Sequence, residues 1–245
     1  SGQGPGWLER PCTLERPDPL TERMIMALHL GDTAPDFTTQ TSQGEVSFHD
    51  WAGDNWVVLF SHPADFTPVC TTELGRVGQL KDEWAKRGVK PIALSVDSVE
   101  DHAKWKGDIE EFSACSVDFP IIADPDKSVA ISYDMIHPGE GDTSSVRSVF
   151  VIDPAKKIRL SMTYPKSTGR NFDEILRTVD ALQEADRGEC ATPVDWKPGD
   201  RIIVPPTVST ADARAKFDDV QEVYPYLRTA VIRGDAAGKG AVACD

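Results

Sequence analysis

Between Trp56 and Arg87 the chain changes its hydrophobic pattern once, from a continuous apolar run to a helical repeat, and a cysteine lies at the junction. Trp56-Val57-Val58-Leu59-Phe60 is β-branched and aromatic, as a strand buried on both faces requires. From Thr71 to Arg87, the residues Leu74, Val77, Leu80 and Trp84 recur at three- and four-residue spacing, which predicts one amphipathic helix ending at Gly88. Cys70 falls in the first turn of that helix, where unpaired amides and the positive end of the helix dipole favour an anion. A cysteine so placed reads as a working thiolate.

The same alternation continues along the chain. Further strands are expected at Glu45 to Phe48, Pro91 to Val96, Ser148 to Ile152 and Ile158 to Tyr164. Helices are expected at Val99 to Phe112, behind Ser98 and Asp101, and at Phe172 to Ala185, behind Asn171 and Glu174; both pairs have capping-box spacing. Alternating strands and helices predict an α/β layer fold. Asp153-Pro154-Ala155-Lys156-Lys157 reads as a hairpin turn between two strands, so the central sheet is expected to be mixed. After Cys190 the prolines 193, 198, 205, 206 and 225 interrupt short apolar pieces such as Arg201 to Val204. This reads as a smaller unit with too little apolar material for a core of its own, packed on the main domain or on another subunit. Residues 1–25 read as a loosely ordered or partly non-native extension, 26–190 as the main domain and 191–245 as the C-terminal unit and tail. Met24 and Met26 are both candidate starts, and Gly234 to Gly240 reads as mobile.

A net charge of -14 and a pI near 4.8 exclude a basic face for nucleic acid. No apolar run approaches the length of a membrane span, and the chain reads as cytoplasmic. The five cysteines, Cys12, Cys70, Cys115, Cys190 and Cys244, are odd in number and contain no C-x-x-C pair. A disulfide scaffold and a metal site are therefore not expected. For any one of them the plain reading is a small buried hydrophobe, so Cys70 must be judged by its neighbours.

Those neighbours suit a small oxygen electrophile. Thr67 lies one turn before Cys70 and can turn its hydroxyl to the sulfur or to an oxygen-bearing substrate. Pro63 closes the pocket and has no N–H to compete. The amides of Val69 and Cys70 open the helix, where charge developing on oxygen would be held. Arg147, which opens the Ser148 strand, is the candidate fixed cation, with a rim salt bridge as its other reading. His62 admits three readings: general base, hydrogen-bond donor behind the sulfur, or core histidine. Position alone favours the last.

Pro63-x-x-x-Thr67-x-x-Cys70 resembles the active-site signature of the peroxiredoxins, and Phe60-Ser61-His62-Pro63 through Cys70-Thr71-Thr72-Glu73-Leu74-Gly75 resembles their one-cysteine, peroxiredoxin-6 type. The likeness runs from about Leu28 to Pro206. It takes in Leu94 to His102, Tyr164-Pro165 with Thr168 to Arg177, and Ala191 to Trp196. It implies a thioredoxin-like fold with a small C-terminal dimerisation domain, no cofactor, and reduction of hydrogen peroxide and organic hydroperoxides. Cys70 would be the peroxidatic cysteine, Thr67 and Arg147 its threonine and arginine, Pro63 the shielding proline and His62 the histidine beside the sulfur. An external thiol would reduce the Cys70 sulfenic acid, with Cys190 and Cys244 as alternative resolving thiols. The expected assembly is a homodimer, with a larger ring left open. Two other functions compete. A redox-sensing or holdase-type interaction protein would use the same thiolate and interface. A phospholipase of the kind some relatives contain would need a Gly-Asp-Ser-Trp-Gly motif, and here Gly53-Asp54-Asn55-Trp56-Val57 lacks the serine, although His49 is present.

Overall fold

The computed structural model describes residues 28–234. Its main body runs β1 (Thr38–Thr41), β2 (Gly44–Ser47), α1 (Phe48–Ala52), β3 (Trp56–Ser61), α2 (Pro68–Gln79), α3 (Lys81–Lys86), β4 (Val89–Ser95) and α4 (Val99–Ser113). It continues with β5 (Ile121–Ala123), α5 (Ser128–Ser132), β6 (Arg147–Ile152), β7 (Ile158–Tyr164) and α6 (Phe172–Gly188). One seven-stranded sheet has the order β2-β1-β5-β4-β3-β6-β7. β3, β4 and β5 are parallel, whereas β6 is antiparallel to β3 and β7 to β6. The sheet is mixed, as the hairpin at Asp153–Lys157 requires.

The continuous apolar run of β3 is explained by cover on both faces. Val58 and Phe60 face a core made with α2, α4 and α6, while Val57 and Leu59 face a second core with α1 and α5. β6 divides its residues in the same way, Val149 and Val151 to the first core and Phe150 and Ile152 to the second.

The single helix expected over Thr71 to Arg87 is two helices. α2 starts at Pro68, whose fixed φ suits the first helical position, and the chain turns at Leu80 before α3. The indole N–H of Trp84 donates to the Val77 carbonyl at 3.0 Å, occupying the acceptor that the Lys81 amide would use in an unbroken helix. Two glycines let α2 approach the end of α4. A Cβ at Gly75 would lie 2.7 Å from that of Ser113, and one at Gly78 would lie 2.9 Å from the Ser116 carbonyl oxygen. The strand expected to end at Phe48 stops at Ser47, because Phe48 already opens α1.

The segment after Cys190 holds more core than its prolines suggest. β8 (Ile202–Ile203), α7 (Thr210–Lys216), β9 (Phe217–Tyr224) and β10 (Leu227–Ile232) form a three-stranded antiparallel sheet of order β8-β10-β9 with a helix against it. Ile202, Val204, Ala213, Phe217, Ala230 and Ile232 make a core of their own, with Cys190 packed against it. The prolines lie between elements rather than within them, which is why the apolar pieces can meet. The expected extension 1–25, Cys12, Cys244 and all of the tail beyond Gly234 lie outside the described residues.

Candidate active site

The site is built where the C-terminal end of β3 meets the start of β6. Antiparallel pairing sets Phe60 opposite Val149, so Ser61 meets Ser148, whose amide donates to the Ser61 hydroxyl at 3.1 Å, and Arg147 comes to the end of β3 although far away in sequence. The turn from His62 to Thr67 then reverses the chain into α2. Phe66 takes a left-handed φ of 54° in that turn. Thr67 is the extended residue ahead of α2, and its hydroxyl donates to the Ala64 carbonyl at 2.8 Å. The Thr71 amide is the first to reach back, to the Thr67 carbonyl at 3.0 Å, which places the Val69 and Cys70 amides in the unpaired first turn. Cys70 is wholly buried.

Arg147 supplies the cation that the helix end alone lacks. Its Nη1 lies 3.4 Å from Cys70 Sγ and 2.7 Å from Glu73 Oε2, while its Nε and Nη2 donate to the Lys166 carbonyl at 2.9 and 2.7 Å. Arg147 is therefore an interior cation, and the rim reading falls. Glu73, one turn on from Cys70, also receives Arg170 through three bonds: its amide and Nε on Oε1 at 2.8 and 2.9 Å, and its Nη2 on Oε2 at 2.6 Å. Arg170 Nη1 reaches the carbonyls of Ser61 and Ser148, tying both strands to the cluster. Burial would raise the Glu73 carboxyl, but Arg170 and then Arg147 outweigh it and hold the group low. Two guanidinium groups thus face one carboxylate in a dry interior. A thiolate at Cys70 brings the cluster to neutrality, and a buried charge left unpaired is costly. Sequence reasoning named neither Glu73 nor Arg170 as a working residue; the one local signal was a carboxylate three residues after the cysteine.

The remaining candidates are placed as follows. Pro63 is half-buried in the turn after β3, and Val69 lies against Gly169 of the turn that carries Arg170. His62 is fully buried, with Nε2 at 2.9 Å from Asp65 Oδ1 and its ring 5.3 Å from that of Trp105. It is not a fully satisfied core histidine, because its Nδ1 has no hydrogen-bond partner among the described residues. Cys190 is half-buried at the end of α6, where burial, and secondarily Glu184, push its thiol up to about 11.

Burial lowers the proton affinity of His62 from its ordinary 6.5, against the opposing pull of Asp65. Below 6.5 the unfolded chain binds a proton there that the native chain refuses, so stability is complete above that value and declines as pH falls through the window beneath it. Urea unfolding of His62→Gln is expected to show a shallower loss of stability between about pH 7 and about pH 5.5 than the parent chain. Equal losses in the two proteins would remove His62 as the source.

The fold agrees with what comparison with known proteins shows. The family model described as the AhpC/TSA family matches residues 30–161, and the C-terminal domain of 1-Cys peroxiredoxin matches residues 181–219. Peroxiredoxin PRX1, mitochondrial, of Saccharomyces cerevisiae is 50% identical over 208 residues, covering 82% of this chain and 80% of that protein. Peroxiredoxin-6 of Gallus gallus is 51% identical over 198 residues, covering 78% and 88%. A solved structure of the yeast mitochondrial 1-Cys peroxiredoxin superposes with a TM-score of 0.79 at 50% identity, covering 83% of this chain and 99% of that one. The chain belongs to the AhpC/TSA family: it is a peroxiredoxin, a thiol-dependent peroxidase, with the C-terminal domain of the one-cysteine members.

Proposed function

We propose that Cys70 is the sulfur that reduces hydrogen peroxide and organic hydroperoxides. The observation that carries this is the Arg147 guanidinium shared between Cys70 Sγ and Glu73. The thiolate attacks the terminal peroxide oxygen; the S–O bond forms, the O–O bond breaks, and the leaving oxygen takes a proton as water or an alcohol. Cys70 is left as a sulfenic acid. Arg147 and the Val69 and Cys70 amides stabilise charge that grows on the breaking bond, an interaction stronger in the transition state than before it. The Thr67 hydroxyl donates its hydrogen bond to the Ala64 carbonyl, so its oxygen is free to accept from a peroxide O–H.

An external thiol restores Cys70 on this reading. Cys190, with its thiol pushed up to about 11, stays protonated near neutrality and attacks a sulfenic acid poorly. The yeast relative's solved structure is described in terms of thiol resolution through glutathione and thioredoxin systems, and both are candidate reductants here. Because Cys70 is wholly buried, a reductant of that size requires the first turn of α2 to open. No cofactor enters the scheme. Among the described residues no helix is long and apolar enough to cross a membrane. We place the enzyme in the cytoplasm, with the mitochondrial yeast relative marking the alternative, and as a homodimer, since β7 ends the sheet and, beyond the bonds of Ile158 to Gly31 and Asp32, no strand pairs with its outer edge among the described residues.

Arg147→Ala is expected to slow peroxide oxidation of Cys70 about 10²- to 10³-fold, the size of effect seen when one charge-stabilising donor is removed, in a stopped-flow assay; an unchanged rate would exclude the assigned role. Turnover separates the enzyme from a sensor. Many equivalents of peroxide consumed with glutathione, ascorbate or thioredoxin supplied support catalysis, whereas one equivalent per chain with every reductant overturns it. The phospholipase reading has no nucleophile: Asn55 carries an amide, which donates to the Ala52 carbonyl.

A further inference from the structure

The Arg147 guanidinium is gripped from two sides, and only one grip comes from a regular element. Glu73, within α2, takes Nη1 at 2.7 Å. On the other side the Lys166 carbonyl accepts both Nε and Nη2, at 2.9 and 2.7 Å. β7 ends at Tyr164, which pairs with Arg147 in the ladder, so Lys166 lies beyond the last rung. Pro165, which precedes it, has no amide to offer. The sheet therefore does not set where the Lys166 carbonyl points, although two of the four hydrogen bonds that Arg147 makes end on it.

The loop between α5 and β6 supplies what the sheet does not. It carries a single 3-10 turn, Pro138–Glu140, and reverses at Gly141, whose φ of 95° lies in the left-handed region. Glu140 and Asp142 both reach Lys166 from this turn. The Lys166 amide donates to Glu140 Oε2 at 3.1 Å, and its ammonium donates to Asp142 Oδ1 at 2.5 Å and to the Ser144 hydroxyl oxygen at 2.8 Å. The Ser144 amide and hydroxyl in turn donate to the same Asp142 oxygen at 2.7 and 2.6 Å. The bonds from Lys166, then from Ser144, hold the Asp142 carboxyl below the ordinary carboxylate range, so it is charged near neutrality. The loop then closes onto the end of β3. The Ser145 hydroxyl donates to the His62 carbonyl at 2.7 Å, and the Ser61 hydroxyl to the Val146 carbonyl at 2.6 Å. Lys166 is thus held by three loop side chains through its amide and ammonium, while its carbonyl holds the cation that faces Cys70 at 3.4 Å.

We propose that Glu140 and Asp142 are positioning residues for the peroxidase reaction: they clamp Lys166 so that its carbonyl keeps the Arg147 guanidinium turned toward Cys70. The clamp brings no new charge to the sulfur; it removes a freedom from the cation. Arg147 Nη1 serves Glu73 and the sulfur at once, and a guanidinium that swings off the Lys166 carbonyl cannot keep both contacts. A displacement of about 1 Å at a reacting group can cost as much as about 10²-fold in rate. The grip itself is modest, because Asp142 is 66% exposed and solvent weakens its pair with Lys166. The proposal rests on Cys70 being the reacting sulfur, but its first test does not.

That test follows the Arg147 side chain by NMR in arginine-labelled chain, its Nε signal being the one lost in Arg147→Lys. Rotation about the Nε–Cζ bond is expected to be slow in the parent and faster in Glu140→Ala/Asp142→Ala. Equal rotation in the two proteins overturns the proposal and leaves the Cys70 assignment intact. The second test is stopped-flow oxidation of Cys70 by hydrogen peroxide. The double alanine variant is expected to slow about three- to tenfold, the yield of a partly exposed clamp and well below the 10²-fold or more that follows loss of a charge-stabilising donor itself. Glu140→Gln/Asp142→Asn keeps both side-chain acceptors and is expected to recover most of the loss. Thr143→Ala, which removes the bond of the same loop to Lys127 and none to Lys166, is expected to keep the parent rate. A guanidinium that loosens with no change in rate would refute the positioning role, as would equal slowing in Thr143→Ala.

Discussion

Cys70→Ser is expected to reduce peroxide consumption to the uncatalysed background, while Cys115→Ser and Cys190→Ser retain nearly the parent rate in a direct oxidation assay. Serine occupies the same space at the start of α2, but its hydroxyl stays protonated where the cluster calls for an anion. The contrast with the other thiols is electrostatic. Cys70 faces the Arg147 guanidinium at 3.4 Å, whereas Cys190 sits where burial and Glu184 disfavour ionisation, and Cys115 contacts the Ser113 hydroxyl at 3.1 Å. Full activity in Cys70→Ser would overturn the entire assignment.

Glu73→Gln is expected to cost about 3–5 kcal/mol of stability, since it leaves two buried guanidinium groups without their carboxylate. Glu73 accepts from Arg147 and Arg170 in an interior where all three residues are buried, and no other carboxylate is bonded to either arginine among the described residues. A loss of that size is a large share of a typical domain's stability, so the urea midpoint should fall well below that of the parent chain. Peroxide oxidation should slow as well, because Arg147 would no longer be held toward the sulfur from the Glu73 side. An unchanged midpoint would mean that the arginines find compensation elsewhere.

What the chain's pattern made legible were features with local causes. β3, β6 and β7 follow from apolar runs, and α4 and α6 from caps whose side chains accept amides as expected, Ser98 from Asp101 and Asn171 from Asp173 and Glu174. The break at Leu80 was not legible, because it depends on the Trp84 indole reaching back seven residues to the Val77 carbonyl. β9 was missed because only scattered residues of its polar sequence turn inward, Phe217 foremost. Cys70, Thr67 and Val69 could be grouped from spacing, and the resemblance to peroxiredoxins is borne out by the family comparisons. Arg170 pairs with Glu73 across 97 residues, and His102 with Asp65 across 37. Such pairs leave no periodic trace in either partner's own segment.

The antiparallel pairing of β3 with β6 also dictates when the sulfur becomes special. The guanidinium that faces Cys70 arrives 77 residues later in the chain, on a strand whose register cannot slip by one position without turning Arg147 to the opposite face of the sheet. Contacts of such separation form late and slowly. During synthesis, or in any state where β6 has left its place, Cys70 is an ordinary cysteine. On the proposed assignment of Cys70, reactivity toward peroxide is withheld until the central sheet is complete, and the thiol's alkylation rate during refolding becomes a clock for the moment at which β6 docks.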